Sequence, residues 1–303
     1  MLEGVAAIMR VEASPVDNTI SVSSVVDIVI PVYANEAQVR ACLSSVLAHH
    51  NEMQGDIVVV NDCSPEPAIH QYLTALADQA LITLLTNEQN EGFIVSCNRG
   101  AAVHPDNDFV LLNADTEVHG NWLDRMVSHI EPGAKVATVT PFSNNATIAS
   151  YPKGAAKPES DENVPVAAID RAMASANAGS SVELPTAIGF CMFVSREAWR
   201  VTGGFDKRYG RGYGEENEFC LATAALGWRH LLACDVFVYH AGGGSFGVES
   251  TKRKAEAQKI IDQRYPDFSR QVQEWIREDP AQSARLRCTI ERLTRCTGPR
   301  VLH

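Results

Sequence analysis

Several features that would place a chain quickly are missing from these 303 residues. No apolar run approaches the roughly 20 residues needed to cross a bilayer. Val5-Ala-Ala-Ile-Met9 is too short and too weakly flanked for a signal peptide, so a soluble, cytoplasmic protein with no transmembrane segment is expected. Basic charge is scarce. With 26 Lys and Arg against 37 Asp and Glu, the net charge is -11, which argues against a nucleic-acid partner because nonspecific binding needs a basic footprint. The eight cysteines (Cys42, Cys63, Cys97, Cys191, Cys220, Cys234, Cys288 and Cys296) contain no C-x-x-C pair. They read as reduced core residues without a zinc site, since a chain of this length needs no disulfides. No G-x-x-x-x-G-K-[ST] phosphate loop and no internal repeat is present. An anionic nucleotide would therefore depend on local features: a metal, a helix amino terminus or a single Arg.

What is present is ordinary core material, 45% hydrophobic and 21% charged, enough for one large domain or two small ones. Residues 1–24 lack periodicity and read as a loosely attached tail. Apolar runs at Val26–Val32, Asp56–Val60, Leu81–Leu85 and Phe109–Leu112 suit strands buried on both faces of a parallel sheet. Helical spacing separates them, as at Val39, Cys42, Leu43, Val46 and Leu47, where Asn35 and Gln38 form an expected capping box. This β-α alternation predicts an α/β fold with a mostly parallel central sheet flanked by helices and right-handed crossovers. Val136–Thr140 is a fifth strand. Pro141–Leu184 reads as an excursion with one short helix, and long loops of this kind often bind ligands. Extended structure resumes at Ala187–Val194 and Arg229–His240, and the last fifty residues look helical and charged.

Several strands end abruptly in polar residues: Tyr33 and Glu36, then Asp62, then Asn113 and Asp115. In open α/β sheets ligands collect at the carboxyl ends of strands. Hard oxygens at Asn113 and Asp115 suit a divalent cation on a diphosphate; the alternative is an Asn-x-Asp turn that only stops the strand. Glu215-Glu216-Asn217-Glu218 opens a helix, where carboxylates favour the positive end of the dipole. The preceding Gly-Tyr213-Gly also lets backbone pass close to a ligand, so a carboxylate here can serve as a general base. His240, at a strand end before glycines, is either a structural hydrogen-bonder or a metal ligand complementing Asp115. Gly242–Gly247 matches a dinucleotide fingerprint and a nucleophile elbow literally, but neither has its required context. No strand follows, and the only later His is His303.

Together these residues resemble the family-2 inverting glycosyltransferases, which have the GT-A fold. The likeness covers roughly Val25 to Gly247. Pro31, Val32, Tyr33 and Glu36 resemble the first strand and its nucleotide loop, and Asp62 the residue that contacts the base. Asn90, Gly92 and Arg99 resemble the helix beneath the diphosphate. Asn113-Ala114-Asp115 matches the D-x-D-type metal motif, and Gly189-Phe190 resembles the acceptor-side strand, joined there by Tyr213. Gly214-Glu215-Glu216 matches the Glu-Asp base motif, and Val238-Tyr-His240 the later metal-binding His.

The resemblance implies a GT-A domain over residues 25–250, with a nucleotide-binding half (25–140) and an acceptor half (141–250), followed by a helical extension (251–303). It also implies transfer of a sugar, with inversion, from a nucleotide-diphosphate sugar to a glycan or glycolipid, in cell-surface polysaccharide or glycoconjugate synthesis. Asp115 and His240 would hold Mn²⁺ or Mg²⁺, and Glu216 or Glu215 would act as the base. Two departures stand out: Asn113 replaces the first Asp, and Glu216 stands where Asp is usual. The Gln-x-x-Arg-Trp signature of processive synthases is missing, which favours addition of single or few sugars. A catalytically silent binding module is the alternative. The mixed charge of the last helices leaves a homo-oligomer or peripheral association with the inner membrane face open.

Overall fold

A computed structural model of the protein describes residues 25–49, 51–153, 165–242 and 248–295. The expected tail, Gly243–Gly247 and Cys296 lie outside the described residues. The chain begins with β1 (Val26–Val32), α1 (Glu36–Ala48), β2 (Gln54–Asn61), α2 (Pro67–Asp78), β3 (Thr83–Thr86), α3 (Phe93–Ala101) and β4 (Asp108–Leu112). A short β5 (Thr116–Glu117), α4 (Trp122–Ser128) and β6 (Val136–Phe142) follow, then α5 (Val166–Asn177), β7 (Ser181–Glu183) and β8 (Cys191–Val194). The remainder comprises α6 (Arg196–Thr202), α7 (Glu215–Ala224), β9 (Arg229–Phe237), β10 (Tyr239–His240), α8 (Val248–Arg264), α9 (Phe268–Glu278) and α10 (Gln282–Arg295).

Eight strands form one sheet in the order β3-β2-β1-β4-β8-β6-β9-β7. Strands β3, β2, β1 and β4 are parallel, β8 runs antiparallel between β4 and β6, β9 is parallel to β6, and β7 closes the edge antiparallel. The apolar run in β4 has a direct physical cause. Val110 and Leu112 enter the core on one face of the sheet, while Phe109 and Leu111 enter the core on the other, so no position faces water. Helices α1, α2, α4, α5 and α10 cover the first face, and α3, α6, α7 and α8 the second. Helix α3 sits so close to the sheet that a Cβ at Gly100 would lie 2.4 Å from Val29 Cγ1.

Three local expectations need correction. Asn35 caps α1 by accepting from the Gln38 backbone N–H, but the reciprocal half of the box is absent. The Asn35 and Glu36 N–H groups donate instead to the Glu66 carboxylate at 2.6 and 3.0 Å, a longer-range partner. The third strand is shorter than its apolar run, beginning at Thr83 rather than Leu81. The 141–184 excursion holds a full helix, α5, of 12 residues. This helix is tied down by Asp170, both of whose oxygens accept from Arg125 Nη2 while Oδ1 also accepts from the Phe237 N–H. Among the described residues no helix is long and apolar enough to cross a membrane.

Candidate active site

The chain after β4 turns at Asn113–Thr116, where the Thr116 hydroxyl donates to the Asn113 carbonyl at 2.7 Å. Thr116 thus closes the turn, and the Asp115 side chain is left to point elsewhere. Strand β5 pairs with β10, Thr116 opposite His240 and Glu117 opposite Tyr239, and the Ala241 N–H donates to the Asp115 carbonyl at 2.9 Å. This two-residue ribbon brings His240 Nε2 to 3.3 Å from Asp115 Oδ2. On the other side, the His240 ring stacks on Phe190 with centroids 5.3 Å apart.

The imidazole is oriented from behind. Its Nδ1 lies 2.9 Å from the Asn145 carbonyl, and a carbonyl only accepts, so Nδ1 carries the proton. The Asn144 side chain brackets the His240 backbone, donating to its carbonyl at 2.9 Å and accepting from its N–H at 2.8 Å. Nε2 and the Asp115 carboxylate then face each other as two acceptors, an arrangement that needs positive charge between them. Burial disfavours charge on the ring, but the hydrogen bond and charge of Asp115, helped by the Asn145 carbonyl, outweigh it and raise the pKa above 6.5. A divalent cation meets the same electrostatic requirement. Among the described residues no group of three His, Cys, Asp or Glu side chains is placed to hold a metal ion. One carboxylate and one imidazole therefore suit Mn²⁺ or Mg²⁺, which complete their shells with water and phosphate oxygens, better than a closed zinc site.

Asp115 and His240 line a cleft of about 470 Å³ together with Asn113, Gly189, Phe190, Tyr213, Glu215 and Glu216. The two adjacent carboxylates open α7 directly after Gly214. Glu215 is buried, 4% exposed, and its Oε2 has no hydrogen-bond partner. Burial and then the Glu216 charge push the Glu215 pKa well up, and burial raises Glu216 as well. Two neighbouring carboxyls in such a setting do not both ionise readily. Glu218 has a different task. It accepts from Tyr209 at 2.8 Å and Tyr265 at 3.0 Å and pairs with Arg264 at 2.6 Å, which moors the end of α8 to α7.

The cleft also collects Phe93, which follows the Asn90-x-Gly92 motif, and residues that local sequence patterns did not single out: Asn145, Thr147, Ile188, Arg211, Arg253 and Lys254. Strand β6, like β1, β2 and β4, gives way to polar residues, Ser143-Asn144-Asn145, so that signal was available. Arg253 and Lys254 sit in a charged helix with no local mark. Lys254 Nζ lies 4.8 Å from the centre of the Tyr213 ring, so α8 closes against the Gly-Tyr-Gly loop. Tyr213 itself is held at φ 79°. Arg211 donates to the Asn90 side chain at 2.9 Å, and its carbonyl accepts from Phe93 N–H at 3.2 Å.

The remaining candidates stand outside the cleft. Val32 is a core residue whose carbonyl accepts from Asp62 N–H, Pro31 and Ala114 are half-buried, and Tyr33 is exposed at the end of β1. Glu36 pairs with Arg40. Asp62 is buried, and both its oxygens are engaged, by Asn87 and by the Glu91 and Gly92 N–H groups, so it builds the turn ahead of α3. Arg99 donates to the Thr86 carbonyl and the Asn87 side chain and braces the same turn. Asn90 and Gly92 belong to that turn and carry the Arg211 loop.

The sequence matches glycosyl transferase family 2 over residues 27–201, more than half of the chain. No curated protein matches it. Among solved structures it is similar to GalNAc-T7 with UDP, GalNAc and Mn2+, with a TM-score of 0.56 and 15% identity over 78% of this chain. The alignment spans about half, 48%, of that longer chain. It is also similar to the mannosyltransferase PcManGT from Pyrobaculum calidifontis in complex with GDP-Man and Mn2+, with a TM-score of 0.55, 17% identity, and coverage of 88% of this chain and 73% of that one. Glu215, Glu216, His240 and the cleft cations all lie beyond residue 201, where the family match ends.

Proposed function

The chain belongs to glycosyl transferase family 2 and has the GT-A fold, and from that premise we propose a metal-dependent, inverting, non-processive glycosyltransferase. It would move a sugar from a nucleotide-diphosphate sugar to a hydroxyl of a glycan or glycolipid. One observation carries this reading: Asp115, His240 and Glu216 share a single cleft with Arg211, Arg253 and Lys254. A chain of net charge -11 that gathers three cations in the cleft shared by Asp115 and His240 has made local provision for an anion.

Asp115 and His240 would hold Mn²⁺ or Mg²⁺, which when bound supplies charge neutralisation to the departing diphosphate. Arg211, Arg253 and Lys254 would add fixed positive charge to the same cleft. Of the two carboxylates, Glu216 is assigned as the base. It is the less buried and stands across from Gly189, whose missing side chain leaves room for an acceptor. Glu215, enclosed and with an unpartnered oxygen, has its pKa pushed up by burial and then by the Glu216 charge, so of the two Glu216 is the one assigned the ionised, basic role. Glu216 takes the acceptor hydroxyl's proton while that oxygen bonds to the anomeric carbon, and the bond from that carbon to the diphosphate oxygen breaks with its electron pair leaving on phosphate. Phe190 and Tyr213 are assigned to the acceptor side, and Tyr33 and Asn113 to the nucleotide.

The test is a thermal-shift screen of nucleoside diphosphates and nucleotide sugars, each with Mn²⁺ and with EDTA, because a ligand bound only by the folded state raises the melting temperature. A metal-dependent shift for one nucleotide, followed by its release from the nucleotide sugar on adding acceptor, is the expected result. No shift with any nucleotide would overturn the proposal.

A further inference from the structure

The segment after β6 that orients His240 is itself held from an unexpected direction, the carboxyl-terminal helices. Within Ser143–Tyr151, Ser143 N–H donates to the Ala149 carbonyl at 3.1 Å, Tyr151 N–H to the Ser143 carbonyl at 2.8 Å, and Ala146 N–H to the Ser150 hydroxyl at 3.0 Å. At its apex Thr147, which lines the cleft, sits at φ 46°. A β-branched residue keeps that left-handed conformation only where its surroundings impose it.

Part of the imposition comes from Arg285 on α10. Its guanidinium is buried, 7% exposed, and donates to the carbonyls on both sides of Ala149: Ile148 at 2.7 Å and Ser150 at 2.8 Å. It also pairs with Asp279, lies 5.3 Å from the centre of the Phe142 ring, and Asp279 in turn takes Lys153 Nζ at 2.7 Å. Tyr151 adds a bond to Thr289 of α10 at 3.1 Å. Burying a guanidinium is costly, and an apolar side chain often stabilises such a position equally well. What an apolar side chain cannot do is direct two donors onto two specified carbonyls.

We propose that Arg285 is a positioning residue for His240. It acts through the 143–151 segment, whose Asn144 and Asn145 set the rotation and tautomer of the imidazole. The helical extension is thereby part of the apparatus that presents Nε2 to Asp115. The consequence for metal affinity rests on the reading of Asp115 and His240 given above, whereas the consequence for the ring does not. Partners behind metal-binding histidines typically contribute about 10- to 100-fold in metal affinity.

The experiment uses the full chain and two readouts. Long-range ¹H–¹⁵N spectra of metal-free protein, recorded above the pKa of the ring, report the His240 tautomer, assigned by its loss in His240→Gln. Electron paramagnetic resonance of free Mn²⁺ during titration reports metal affinity. Arg285→Met is expected to abolish the wild-type preference for Nδ1–H and to weaken Mn²⁺ binding about 10-fold or more. Arg287→Met is the control. Arg287 fixes α10 to α5 through Asn177 at 2.8 Å and donates nothing to the 143–151 segment, so it should lower the melting temperature while leaving tautomer and Mn²⁺ affinity unchanged. If Arg285→Met does not fold, the double variant Tyr151→Phe, Lys153→Met loosens the same link and should shift both readouts in the same direction. An unchanged tautomer in these variants overturns the proposal. A shifted tautomer in a protein whose wild type binds no Mn²⁺ would uphold it and overturn the metal reading instead.

Discussion

Replacing each carboxylate of the cleft by its amide separates their roles. Glu216→Gln keeps size and polarity but removes the basic oxygen. A positioned general base contributes about 10²- to 10⁴-fold, so kcat should fall by that factor, equivalent to about 3–5 kcal/mol of barrier. Glu215→Gln should cost far less, because burial pushes the Glu215 pKa up and a neutral amide resembles the protonated form that burial favours. Stability should move the other way. Both carboxyls have pKa values raised in the folded protein, burial being the main cause. Below 4.5 the folded and unfolded chains are both protonated and no penalty exists. As pH rises past 4.5 the unfolded chain releases these protons first, so folding loses stability until the folded values are passed. Each Gln variant should therefore melt higher than wild type at pH 7, with a smaller gain at pH 4. Wild-type kcat should also fall on the acid side at a pH above 4.5, as Glu216 takes up its proton. The assays are steady-state transfer between pH 4 and 9 and thermal melts across the same range. Glu216→Gln retaining more than about a tenth of wild-type kcat, or Glu215→Gln losing as much as Glu216→Gln, would refute the assignment.

Asp115→Ala should abolish the Mn²⁺-dependent part of nucleoside diphosphate binding and leave binding in EDTA nearly unchanged; calorimetry with and without chelator checks this. Gly92→Ala places a Cβ 2.9 Å from Arg211 Cα at φ 89° and ψ 171°, a region open almost only to glycine. It should destabilise by about 1–3 kcal/mol or more in urea unfolding and weaken nucleotide binding by displacing the Arg211 loop. His230 is buried between the Thr138 hydroxyl at 2.8 Å and the Cys220 carbonyl at 2.9 Å, and burial lowers its pKa from 6.5 to about 4. The stability tied to its neutral form is complete above 6.5 and lost as pH falls toward about 4, a loss of about 3 kcal/mol. His230→Gln should flatten that part of the acid denaturation profile, which urea titrations at pH 7 and pH 4.5 would show.

Much of the architecture was legible because its signals are local. The β4 run is apolar throughout because both of its faces are covered, and the α1 spacing follows one buried stripe. The turn chemistry at Asn113–Thr116 and the carboxylates opening α7 occupy a few consecutive residues, so one window of sequence contains the whole cause. The expected capping box failed because the partner was remote: Glu66 displaces Gln38 from its capping role. The part of Asp62 in building the turn ahead of α3, through Asn87 and the 91–92 N–H groups, is likewise set by residues far along the chain.

By itself, then, the sequence determined the α/β alternation, the polar strand ends and the identity of the groups that can carry charge or bind a cation, since these follow from periodicity and side-chain chemistry. Tertiary structure alone decided which of those groups meet. His240 reaches Asp115 through a ribbon of two residues, Lys254 comes to the cleft from α8, and Arg285 arrives from α10 to grip the segment behind His240. Such meetings depend on strand register and on how helices seat against the two faces of the sheet. No window of consecutive residues records either.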